Sequence, residues 1–227
     1  MYFLAKLYCT FIPMKIKEVI LYSSNIEAQI KFYDKILELP VFDKSESHCS
    51  LKVGNSMLTF KFSKRPSHYH FAFNIPSNQI VEAHSWLKKR VDLLNYEGEE
   101  IVPFNSWNAK GIYFYDADNN IVELIARNNL RNESSLNFSS KSILNISEIG
   151  MATESISNTY NELNKRNEIA VYCGDFNRFC AVGNEEGLFI LVNPNKKNWS
   201  PTNEKVLISD FTIKGDFNFD YKNGKIM

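Results

Sequence analysis

The chain has 227 residues, enough to bury a sizeable core as one large domain or two smaller ones. Lys plus Arg and Asp plus Glu both number 26, so the formal net charge is zero. Without a charged field to steer nucleic acid or anionic membrane, neither is expected as a partner. Cys9, Cys49, Cys173 and Cys180 form no CxxC pair and no zinc-ribbon spacing, which points to a reducing, cytoplasmic setting.

The first 13 residues, Met1 to Pro13, are apolar but too short to span a bilayer. They lack the basic start and small-residue cleavage site of a signal peptide. They read as an arm ahead of the first unit, and Met14 is an alternative start. Ile16 to Ser23 then reads as a strand, and Asn25 to Leu39 as a helix with Ile26, Ile30, Tyr33 and Leu37 on one face. Pro40 ends that helix. Three strand-like segments follow, Val41 to Ser45, His48 to Val53 and Met57 to Phe62, the last two joined by Gly54-Asn55.

A second unit repeats this β-α-β-β-β order. His68 to Ile75 is its first strand, and Ser77 to about Val91 its helix, with Ile80, Ala83, Leu87 and Val91 as the buried stripe. A weak strand near Leu93 and a loop from Glu97 to Lys110 precede the hairpin of Ile112 to Tyr115 and Ile121 to Arg127. Asn128 to Ser142 is polar, rich in Asn and Ser and without periodicity, the composition of a linker. A third unit begins near residue 143, with a strand to Thr153, a helix carrying Ile156, Tyr160 and Leu163, and strands around Val171, Ala181 and Phe189. Lys205 to Ile213 reads as a last strand.

The repeats place metal-binding residue types at one strand position, Glu18, His70 and Glu148. Glu123 closes the second unit where Thr59 closes the first. Two units related by a pseudo-twofold would bring Glu18, Thr59, His70 and Glu123 toward one interface. Glu18 also reads as a salt-bridge partner for Lys61. His68 replaces His70 if the register slips by two.

Phe32-Tyr33, Leu37-Glu38-Leu39, His70-Phe71-Ala72-Phe73 and, above all, Tyr113 to Leu124 (YFYDADNNIVEL) give the chain a resemblance to the vicinal oxygen chelate superfamily. That superfamily holds glyoxalase I, extradiol dioxygenases and the bleomycin and fosfomycin resistance proteins. The closing hairpin resembles the family's Asp-Pro-x-Gly-Asn turn before a metal-binding Glu, with Ala117 and Asn119 in place of Pro and Gly. The resemblance covers residues 16 to 127 and is weaker beyond 143.

It implies an α+β fold. Residues 14–128 would form a curved eight-stranded sheet from two βαβββ modules, with 129–142 as linker and 143–227 as a third, degenerate half-module. It further implies a divalent metal (Mn, Ni, Fe, Zn or Mg) held by Glu18, His70 and Glu123, with Thr59 too poor a ligand to complete the set. Glu123 would be the catalytic base, taking a proton beside a metal-stabilised enediolate on a small oxygenated metabolite. Phe104 and Trp107 would wall the substrate.

Glu148 has Ile190 as its closing-strand counterpart. On that reading a lone carboxylate holds no metal, and the third module serves to cover the main domain or to pair with its twin in a homodimer. The alternative function is a metal-free cleft that sequesters a ligand, as the bleomycin-resistance members do.

Overall fold

A computed structural model describes residues 14–227. The expected arm at residues 1–13 lies outside the described residues. The first unit contains β1 (Ile16–Ser23), α1 (Ile26–Ile30), β2 (Val41–Lys44), β3 (His48–Val53) and β4 (Ser56–Phe62). Asn25 caps α1 by accepting from the Ala28 amide at 3.0 Å, and the helix continues as a wider π-helical turn over Lys31–Ile36.

The second unit contains β5 (His70–Ile75), α2 (Ile80–Leu87), β6 (Leu93–Leu94), β7 (Val102–Phe104), β8 (Ala109–Tyr115) and β9 (Ile121–Arg127). The third contains β10 (Asn145–Ala152), α3 (Ile156–Arg166), β11 (Val171–Gly174), β12 (Phe179–Asn184) and β13 (Gly187–Val192). A strand and hairpin follow, β14 (Phe211–Gly215), β15 (Phe219–Lys222) and β16 (Lys225–Ile226), so residues 205–210, expected as strand, precede it as irregular chain.

The units pair differently from the expected eight-stranded sheet of units one and two. The second unit joins the third in one sheet ordered β11-β12-β13-β10-β5-β9-β8-β6, with β7 against β8. The first joins the C-terminal strands in a seven-stranded sheet ordered β16-β15-β14-β1-β4-β3-β2. Complementary charges mark the observed pairings. Lys214 of β14 is the cross-strand partner of Glu18 in β1, and Arg127 at the end of β9 reaches Glu148 of β10.

The third unit is thus half of the main sheet rather than a cover over it. The polar stretch after β9 lies along the second unit, where Asn132 accepts from the Ser77 amide at 2.9 Å and Phe138 packs edge-on against Trp86.

Strand alternation divides the larger sheet into two faces. Phe71, Phe73, Val122, Leu124, Ile149, Met151, Phe189 and Leu191 enter one core shared with Val19, Leu21, Phe60 and Phe211 of the other sheet. His70, Ala72, Ile121, Glu123, Ile125 and Arg127 alternate with them and point to the opposite face, as do Glu148 and Ile190.

Asp116, in the hairpin between β8 and β9, ties the first unit to the second. Its Oδ2 accepts from Gln29 Nε2 at 3.2 Å, the Tyr33 hydroxyl at 3.0 Å and Asn120 Nδ2 at 2.9 Å, while Oδ1 accepts from the Asp118 and Asn120 amides, each at 2.9 Å. Each buried donor left without a partner costs about 1–3 kcal/mol. Asp116→Ala is therefore expected to lower unfolding free energy by about 4 kcal/mol, and Asp116→Asn by less than half of that. Urea denaturation with an unchanged m-value would check this, and a loss below about 1 kcal/mol would show that water replaces the carboxylate.

Candidate metal centre

Across the larger sheet, Glu148 faces Ala72, Ala72 faces Glu123, and Glu123 faces Tyr113. His70 lies two residues before Ala72 on the same face, so the small Ala72 side chain leaves an opening bordered by His70 and both carboxylates. His70 Nε2 is 3.8 Å from Glu123 Oε2 and 3.9 Å from Glu148 Oε2, and one ligand atom from each residue falls within 4.8 Å of the others. All three side chains are buried.

The imidazole Nδ1 lies 3.2 Å from the Ile121 carbonyl. A carbonyl only accepts, so Nδ1 carries the proton and Nε2 turns its lone pair toward the carboxylates. Burial pushes the His70 pKa down to about 4, which keeps the ring neutral near pH 7. Burial, with the neighbouring Glu148 charge, holds Glu123 well above the ordinary carboxylate range, against the opposing pull of Arg127 and the Tyr113 hydroxyl. Burial also raises Glu148, and the Arg127 guanidinium opposes it.

Three acceptors converging in a buried space are satisfied by a divalent cation or, without one, by a proton on a carboxylate. Glu123 Oε1 has no hydrogen-bond partner, so the carboxylate keeps unused acceptor capacity. Oxygen and imidazole donors in this proportion suit Mn, Ni, Fe, Zn or Mg. The residues present therefore fit a divalent ion.

The surroundings preserve the opening. A Cβ at Gly111 would stand 2.2 Å from Glu123 Oε1, so a side chain there would displace that carboxylate from its present position. A Cβ at Gly150 would stand 2.5 Å from Trp199, whose ring lies 5.3 Å from the His70 ring and roofs the site. Beneath that roof is a cavity of about 260 Å³, whose lining includes Phe104, Trp107, Tyr113, Phe179, Ile190 and Lys197.

Of the residues expected from the sequence, His70 and Glu123 come together, with Phe104 and Trp107 in the wall. Glu18 does not join them. It lies on the other sheet, where Lys214 Nζ donates to its Oε2 at 2.7 Å and the Thr59 hydroxyl to its Oε1 at 2.9 Å. Ile20 stands between Thr59 and Thr212 just as Ala72 stands between Glu123 and Glu148. The first sheet thus repeats the layout, with two threonines at the carboxylate positions and the Lys214 ammonium already neutralising Glu18.

Glu148 takes the place expected for Glu18. Its position in the repeat is the sequence signal for this, and it reaches His70 because β10 pairs directly with β5. Arg127, Tyr113, Lys197 and Trp199 also went unread as site residues. His68 is outside the cluster, with Nε2 2.7 Å from the Asn119 carbonyl and 3.2 Å from Glu204.

No protein-family model matches the sequence, and no curated protein matches it. Solved structures do. A Bacillus subtilis protein described as a candidate dioxygenase superposes with a TM-score of 0.59 at 14% identity, over 79% of this chain and 64% of that one. A glyoxalase I variant from Zea mays superposes with a TM-score of 0.54 at 12% identity, over 92% of this chain and 72% of that one. The fold is that of the vicinal oxygen chelate superfamily. Identity this low speaks for the fold and not for an activity. The chain spans less than two thirds of the Bacillus protein's length. Within the vicinal oxygen chelate fold, the second and third units of this chain hold the three candidate ligands. Among the described residues, no helix is long and apolar enough to cross a membrane.

Proposed function

We propose that this protein is a divalent-metal-dependent enzyme of the glyoxalase and dioxygenase kind, acting in the cytoplasm on a small oxygenated metabolite. The observation that carries the reading is the buried convergence of His70 Nε2 with one oxygen each of Glu123 and Glu148. His70, Glu123 and Glu148 would hold the ion. Bound there, it supplies a Lewis acid that polarises a chelated carbonyl or hydroxyl.

The chain's own groups do the rest. Glu123 Oε2 faces His70 while Oε1 is buried without a partner, so one oxygen serves the site and the other keeps a lone pair for a proton taken from carbon next to a carbonyl. A raised carboxylate pKa suits a base working near neutral pH. Trp199, Trp107 and Phe104 exclude water and hold the substrate body. One His with two carboxylates departs from the two-His, one-carboxylate set of iron dioxygenases, so proton transfer ranks above oxygen chemistry.

One observation favours a second reading, a metal-free ligand-binding cleft. Arg127 already pairs with Glu148 inside the protein and supplies part of the positive charge that a metal would bring.

Metal content of untagged protein, purified without chelator, separates the two. About one equivalent of a divalent ion is expected in the wild type and in Glu18→Gln, with loss in Glu148→Gln. Wild-type protein that takes up no metal even when Mn, Ni, Fe, Zn and Mg are offered would overturn the enzyme reading in favour of the binding cleft. Loss in Glu18→Gln would overturn the ligand set.

A further inference from the structure

We propose that Lys197 is the anion-recognising residue of this cavity, and that the substrate is a small planar aromatic or unsaturated acid whose carboxylate it holds. The proposal deepens the reading above and rests on the same cavity. Lys197 lines the space together with His70, Glu123 and Glu148. Its backbone amide donates to the Asn193 carbonyl at 3.1 Å, which anchors it in the turn that follows β13.

The ammonium is half-buried, stands 5.4 Å over the Phe179 ring and makes no ion pair among the described residues. Burial lowers its pKa, with Arg178 adding to the effect, and its charge in turn helps to disfavour protonation of His70. A partly desolvated ammonium without a counterion is costly, and an anionic ligand removes that cost.

The charge inventory points the same way. With a divalent ion in place, the Glu123 and Glu148 carboxylates balance it, and Arg127 and Lys197 leave the site positive. Arg127 is held by Glu148 through Nη2 and by Asn74 through Nε and does not line the cavity, so among the described residues Lys197 is the cation that lines it.

The shape of the cavity narrows the ligand further. Phe104, Trp107, Tyr113, Phe179 and Trp199 offer flat apolar surfaces, and about 260 Å³ is below the range for drug-sized ligands. A single lysine suits one carboxylate. Tight phosphate recognition ordinarily recruits several donors or an arginine fork.

Salicylate and its uncharged counterpart salicylamide form a matched pair of probes, with binding read by quenching of tryptophan fluorescence in the full-length protein. Wild type is expected to bind salicylate at least about tenfold more tightly than salicylamide. Lys197→Met should abolish that difference while leaving salicylamide within about twofold, and Lys197→Arg should keep most of it. The proposal is overturned by equal affinities in the wild type, by equal weakening of both probes in Lys197→Met, or by failure of wild type to bind salicylate at about millimolar concentration.

Metal content measured on the same samples keeps the two readings apart. Discrimination that depends on Lys197 in metal-free protein supports this proposal while the enzyme reading fails. Metal without discrimination overturns this proposal alone.

Discussion

Replacing Glu123 by glutamine is expected to abolish divalent-ion uptake and, in chelator-treated protein, to raise stability at alkaline pH. Glu123 is 2% exposed, its Oε1 has no partner, and Glu148 lies beside it. Burial first and Glu148 second raise its pKa in the folded state, whereas the unfolded chain ionises at an ordinary carboxylate value. A group raised in this way contributes stability below its unfolded pKa and loses it as pH rises through the folded one.

Metal-free wild type should therefore lose up to about 1.4 kcal/mol per pH unit for this one proton as pH rises above the ordinary carboxylate range, until the folded group ionises. His70, held down to about 4, adds no slope once pH is above the ordinary imidazole range, where the ring is neutral in both states. Glu123→Gln has no proton to lose and should show a flatter profile, more stable than wild type by about 1–3 kcal/mol at the upper end. Added metal should raise the midpoint of wild type and leave the variant where it is. Parallel pH profiles for the two proteins in urea denaturation would mean that Glu123 titrates as an exposed carboxylate and that the site is open to water.

How much of this was legible in the sequence depends on which interactions are local. The strand and helix of each unit follow from periodicity, and the Asp116 to Asn120 turn follows from its residue types, because those signals lie within a few positions of one another. His70 and Glu123 were readable together because β5 and β9 belong to one unit and pair directly.

The partner of β5 was not readable in that way. Glu18 and Glu148 occupy the same repeat position, and the charges that each meets in the fold come from elsewhere in the chain. Lys214 lies opposite Glu18, and Arg127 sits beside Glu148. Arg127 looked like the polar end of a strand, and nothing in its neighbours shows that it is fully enclosed. Trp199 reaches His70 from a loop far along the chain, and only the glycine at position 150 hints that a ring must fit there.

Arg127→Met is expected to destabilise the metal-free protein by about 3–5 kcal/mol, the usual consequence of removing one partner from a buried ion pair. The arginine is 0% exposed. It donates through Nη2 to Glu148 Oε1 and through Nε to Asn74 Oδ1 at 3.2 Å, and its guanidinium lies 5.5 Å from the centre of the Trp107 ring. Without it, Glu148 remains buried next to Glu123 with no cation to offset either, and burial then drives its pKa higher still.

Two comparisons isolate that cause. Combining Arg127→Met with Glu148→Gln should recover at least about 1–2 kcal/mol relative to adding the separate losses, since the uncompensated carboxylate is gone. Saturating divalent ion should restore more stability to Arg127→Met than to wild type, because Glu148 offers Oε1 to the guanidinium and Oε2 to the His70 side, and the ion then bears the whole neutralising role. Denaturation of the four proteins with and without metal tests both effects. Strictly additive losses with no extra rescue by metal would mean that Arg127 acts through its packing against Trp107 rather than through the charge it shares with the site.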